Sequence, residues 1–166
     1  MKLLTTAAFI LSGITTLDAQ SKGDSMAGCP MMSDHAAMDA RGDKGMGFSQ
    51  QKTTHHFHLA ADGGTIEVSA SDGNDATSRA QIRQHLGHIA KMFADGNFQI
   101  PMFVHDKVPD GAGVMQQQKA NITYKFERTR AGGLVRIRTG DPEALKAVHE
   151  FLRFQIREHE TGDPTS

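Results

Sequence analysis

Two glycine pairs, Gly63-Gly64 and Gly132-Gly133, each separate two short runs of alternating apolar and polar residues, and each of these units is followed by a stretch with helical periodicity. Residues 55–60 and 65–70 flank Asp62-Gly63-Gly64, a hairpin signal because a tight turn there needs positive φ. Ile66, Val68 and Ala70 share one face of the second run, and in the first His55, Phe57 and Leu59 alternate with His56 and His58. A helix is predicted over 76–94, with Ile82, Leu86, Ile89 and Phe93 as its apolar stripe and Gly96 as its stop.

The same order then recurs. Residues 121–129 carry Ile122, Tyr124 and Phe126 on one face, and 134–139 return with Val135 and Ile137 inward. Asp141-Pro142-Glu143 opens a helix to 158, with Leu145, Val148, His149, Leu152 and Ile156 on its apolar side. The expected fold is α+β: repeated ββα units forming a four-stranded antiparallel sheet with two helices on one face. The connection 97–120 reads as a long loop, of a length that more often serves function than mere linkage.

The N-terminal residues read differently. Lys2, an apolar run from Leu3 to Leu17 and Ala19 before Gln20 have the pattern of an export signal, too short and too rich in Thr for a stable membrane span. Residues 1–19 are therefore expected to be a signal peptide, 20–50 a disordered Met/Gly/Asp-rich tail, and 51–162 a single domain. The expected location is periplasmic or secreted. Of 166 residues, 22% are charged and the net charge is −1, which gives no basic surface for nucleic acid. A single cysteine, Cys29, excludes an internal disulfide.

Nine histidines and nine methionines are the unusual counts. Met26, Cys29, Met31, Met32, His35, Met38 and Met46 crowd into the tail, and thioether and thiolate are soft ligands suited to Cu(I). In the domain, strand alternation sends His55 inward and His56 and His58 outward, the latter two close enough to chelate one metal. His85, His88 and Met92 form a stripe on the first helix, His149 lies within the apolar stripe of the second, and His159 falls one turn beyond Ile156. His105 sits in the long loop beside Asp106. The expected metal set is His55, His85 and His149, with His88, His105 and Met92 as additions.

Thr53-Thr54-His55-His56-Phe57, His85-Leu86-Gly87-His88-Ile89-Ala90-Lys91-Met92-Phe93 and His149-Glu150-Phe151-Leu152-Arg153-Phe154-Gln155 together resemble a family of small exported bacterial proteins that share these blocks over roughly the last two-thirds of the chain. The resemblance implies no activity and no catalytic residue. Members of that family are sometimes labelled aspartate carbamoyltransferase. This chain lacks both the length of such an enzyme and a Ser-Thr-Arg-Thr segment to cradle carbamoyl phosphate, so the label does not carry over.

The residues thus point to an exported metal-binding protein, with copper as the metal and zinc or non-covalent haem as alternatives. A metal-dependent enzyme with a loop-covered His site is a second reading, although neither Gly-x-Ser-x-Gly nor His-Glu-x-x-His occurs. A dimeric ligand- or partner-binding module is a third, because Phe151 and Phe154 lie off the helix stripe and are expected to be exposed at a homodimer face.

Overall fold

The computed structural model describes residues 30–166. Strands β1 (Thr53–Ala60), β2 (Gly63–Ala70), β3 (Ile122–Arg128) and β4 (Gly132–Thr139) form one antiparallel sheet in the order β1-β2-β4-β3. The fold is α+β, as expected.

The glycine pairs do other work than the sequence pattern implies. The first hairpin turns at Ala61 and Asp62, and Gly63 and Gly64 already belong to β2. In the β2–β4 ladder Gly64 pairs with Ile137 and Val68 with Gly133, so the two pairs bound the central ladder at opposite ends. A Cβ on Gly64 would collide with the His58 carbonyl and Leu152, and one on Gly133 would meet Phe126 at 2.7 Å. The glycines are needed for close approach across the sheet, as well as for backbone freedom at Gly63, where φ is +145°.

Helix α2 (Ala76–Ala94) starts at Asp75, whose carboxylate accepts from the Ser78 N–H at 3.0 Å. The last helix, α5, spans Pro142–Glu158, and Asp141 accepts from Glu143 N and Ala144 N at its start. Leu86 of α2 stands over Gly133 and Leu152 of α5 over Gly64, positions on one face of the sheet, so both helices cover that face. Ile82, Leu86, Ile89 and Phe93 are all buried against it, as the stripe predicts.

Each helix lies across the hairpin it does not follow: α2 packs mainly on β3 and β4, and α5 on β1 and β2. Side chains then tie the helices to the turns. Arg83 Nε and Nη2 donate to the Gly132 and Thr129 carbonyls at 2.9 and 2.8 Å. His149 Nε2 makes the equivalent tie to Ala60 O at 2.9 Å and Gly63 O at 3.1 Å.

The connection 97–120 is not an open loop. It holds α3 (Gln99–His105) and α4 (Ala112–Gln117), which extend the apolar layer around α5. Phe98 stacks on Phe93 with ring centroids 4.5 Å apart and meets Phe151 edge-on at 5.8 Å. His105 packs edge-on against Phe154 at 5.1 Å, and Lys107 lies 5.3 Å from the same ring. Phe151 and Phe154 are therefore 1% and 4% exposed, which removes the expected dimer face. The off-stripe aromatics have their partners within this chain, in the segment that carries too little periodicity to announce a helix.

The tail expectation also needs correction. Residues 30–46 form helix α1 (Pro30–Met46), packed against α3. Met38 and Phe48 are buried, Arg41 Nε donates to Val104 O at 2.8 Å, and Gln50 N donates to Asp43 Oδ1 at 2.7 Å. Gly45 lets the helix come close to the Phe103 ring, which a Cβ there would meet at 3.3 Å. Met31, Met32 and His35 lie on this helix. The expected signal segment 1–19 and the tail residues Met26 and Cys29 lie outside the described residues. Among the described residues no helix is long and apolar enough to cross a membrane.

Burial of the two phenylalanines yields a direct test. Phe151→Ala should lower the unfolding free energy by about 3–5 kcal/mol, the cost of emptying an aromatic site in a packed core. Phe154→Ala should also destabilise. Urea unfolding reads the loss, and sedimentation should show the same oligomeric state with and without these rings.

Candidate functional site

At the edge of the sheet, β1, α2, α3 and α5 enclose an apolar cavity of about 60 Å³. Its wall includes His55, His85, His105 and His159, together with Met46 and Gln155. Four different elements deliver these imidazoles. Strand alternation turns His55 inward beside Phe57, and His85 lies on the flank of α2, edge-on to Phe48 at 5.5 Å. His105 ends α3, where Asp106 takes the left-handed conformation (φ 53°) and stops the helix. His159 caps the C-terminus of α5.

His159 is the hub. Its ring stacks on His55 with centroids 5.1 Å apart and an interplanar angle of 12°, and it meets His105 edge-on, also at 5.1 Å. Phe57 closes one side at 5.5 Å from His159. Such packing in an apolar wall penalises charge on any ring nitrogen.

Burial, and secondarily the neighbouring His56, lowers the His55 pKa from 6.5 to about 4. Burial likewise takes His85 to about 4, with smaller contributions from His55 and His88. For His105 burial again lowers the value and outweighs Gln155 and Glu158, which act the other way. His55 and His85 are therefore neutral at pH 7, able to offer a lone pair rather than a positive charge.

Among the described residues, two buried ring nitrogens have no hydrogen-bond partner: His55 Nε2 and His105 Nδ1. His105 Nε2 lies 3.0 Å from Gln155 Oε1, an acceptor, so Nε2 carries the proton and Nδ1 keeps its lone pair. The carboxylate of Glu158 is 3.9 Å from that Nδ1, beyond hydrogen-bond reach, and is engaged by Lys107 at 2.8 Å.

The structure thus brings together His55, His85 and His105 of the expected set, and leaves the others out. His149 sits at the turn end of β1, roughly 16 Å along the strand from His55 at about 3.3 Å per residue, with Nε2 occupied by the two turn carbonyls. Its apolar-stripe position follows from holding a turn. His88 is exposed, and Met92 packs against the core on α2 away from the cavity wall. Among the described residues, no three His, Cys, Asp or Glu side chains stand as a ready group for a metal ion. A space of about 60 Å³ suits an ion with a water or two and leaves no room for a porphyrin.

His159, Met46 and Gln155 line the cavity but stand outside the expected metal set, although His159 falls near the apolar stripe. The signal for both Gln155 and His159 is helical: they lie one turn apart on α5. The outer pair His56 and His58 stack at 6.1 Å on the far face. His56 Nδ1 donates to Asp163 Oδ1 at 2.9 Å, while Asp163 Oδ2 accepts from Phe57 N at 2.8 Å.

The depressed imidazoles set a pH dependence. In the unfolded chain they protonate near 6.5, in the fold only near 4, so their contribution to stability is complete above pH 6.5 and is lost as pH falls toward 4. The urea midpoint should drop across that window, and His55→Leu should flatten part of the drop. A slope unchanged by the substitution would show that His55 does not titrate this way. The chain matches no protein-family model, no curated protein and no solved structure, so the chemistry of this cavity is read from its own atoms.

Proposed function

We propose that this is an exported metal-binding protein that handles copper, with His55, His105 and Met46 as its central donors and His85 beside them. One observation carries the reading: two buried imidazole nitrogens, His55 Nε2 and His105 Nδ1, stand without partners in a cavity that a thioether also lines. An unsatisfied buried polar atom costs on the order of 1–3 kcal/mol, which coordination to an ion would offset. Gln155 acts on His105 as outer groups act on metal-bound histidines, fixing the tautomer that leaves one nitrogen open. Imidazole with thioether suits copper among the common metals.

The stacked rings of His55 and His159 mean that ligation needs a side-chain rotation, a change between neighbouring rotamers. The Lys2, apolar-run and Ala19 pattern supports export, and the tail methionines with Cys29 add soft donors ahead of the domain. N-terminal sequencing of the protein from an extracytoplasmic fraction should begin at Gln20; an intact Met1 would overturn that part.

Copper titration of the full chain tests the site itself. One equivalent should bind with shifts in the His55 and His105 ring signals. His55→Ala and His105→Ala should each lose most of that binding. His149→Ala should keep it and lose stability instead, because it only releases the hairpin turn. Copper binding unchanged in the first two variants, or no binding to the unaltered chain, would overturn the proposal.

A further inference from the structure

We infer that the cavity selects a soft monovalent ion, Cu(I), over divalent Cu(II) and Zn(II). The inference deepens the proposed function and rests on it. Its basis is the charge and softness of the wall rather than the number of donors. Among the described residues, the polar side chains lining the cavity are His55, His85, His105, His159 and Gln155, with Met46 among apolar neighbours. None of these is Asp or Glu.

Glu158 stands 3.9 Å from the open His105 Nδ1, and its charge is already answered by Lys107 at 2.8 Å. Beyond His105 the adjoining polar cavity, about 350 Å³, is lined by Arg41, Lys107 and Arg157 together with Asp106 and Glu158. That opening supplies no surplus of negative charge to balance an incoming cation, and the carboxylates at the opening beside His55 and His159, Asp39 and Glu160, stand outside the cavity wall.

Desolvation of an ion rises with the square of its charge, so a divalent ion pays about four times the cost of a monovalent one in the same low-dielectric wall. Carboxylate or thiolate ligands normally compensate that cost for zinc, and here the donors are neutral. A thioether adds affinity for Cu(I) specifically, because soft sulfur prefers the soft ion.

Helix α1 supplies the soft atoms. Met46 lines the cavity itself. Met38, a little over two turns earlier on the same helix at 3.6 residues per turn, lines both outer openings. One opening contains His105, and the other contains His55 and His159. Each opening therefore presents a thioether together with an imidazole.

The test uses the full chain carrying Cys29→Ser, which removes the competing thiol. Ag(I), a redox-inert stand-in for Cu(I), is titrated in parallel with Zn(II) and Cu(II), and Cu(I) is measured anaerobically against a chromophoric chelator. The readout is the ring signals of His55 and His105. Ag(I) and Cu(I) should shift both rings and bind at least about tenfold more tightly than Zn(II) and Cu(II), and Met46→Leu should weaken the monovalent ions by about tenfold. Divalent ions binding the same rings as tightly or more tightly, with no effect of Met46→Leu, would overturn this inference and leave the copper site standing. If none of the ions shifts these rings, the copper site falls and the selectivity falls with it.

Discussion

The reciprocal grip of helices on hairpins holds the molecule together. Arg83 of α2 binds the carbonyls of the β3–β4 turn, and His149 of α5 binds those of the β1–β2 turn. Neither hairpin would be stable alone, since two strands bury too little surface. Laying each helix over the other hairpin joins near and distant sequence into one cooperative layer. The glycine pairs make this possible by removing Cβ atoms that would collide with Leu152 above Gly64 and with Phe126 beside Gly133. The cavity then opens between α2 and α5 beside β1, and α3 and α1 complete its wall.

Much of this was legible in the sequence, because period-two and period-3.6 patterns report which side of an element is buried. Alternation in β1 separated His55 from His56 and His58, and the stripe on α2 named its buried residues. The glycine pairs misled in detail, since a turn and a close approach both call for glycine and local sequence does not distinguish them. His149 misled because an imidazole that ties down a turn occupies the same helix face as one that binds a ligand. The phenylalanines of α5 looked exposed only while the connection after α2 was treated as a loop. Helix α1 was hidden by its composition: Gly42, Gly45 and several aspartates disfavour helix, and docking on α3 supplies what propensity lacks.

The imidazole cluster shows how environment changes the meaning of a residue type. Nine histidines in the chain invite a single explanation, yet the described ones serve at least three physical roles. His149 is a donor to backbone, His56 pairs with a carboxylate at the surface, and His55, His85 and His105 are held neutral by an apolar wall. In the last group burial keeps lone pairs available at ordinary pH. Their neutrality follows from burial, so the same packing that stabilises the fold prepares the donors.

Asp163 has a consequence beyond its own contacts. Strand β1 is a free margin of the sheet, the place where another molecule's strand could add itself by backbone pairing. The Asp163 carboxylate takes the Phe57 N–H on one oxygen and the His56 ring on the other, and the Thr161 hydroxyl steadies it at 2.7 Å. A short C-terminal turn thereby acts as a guard rail, replacing a recruitable backbone edge with a charged side chain that no incoming strand can extend. The protection is local and costs the fold no additional strand.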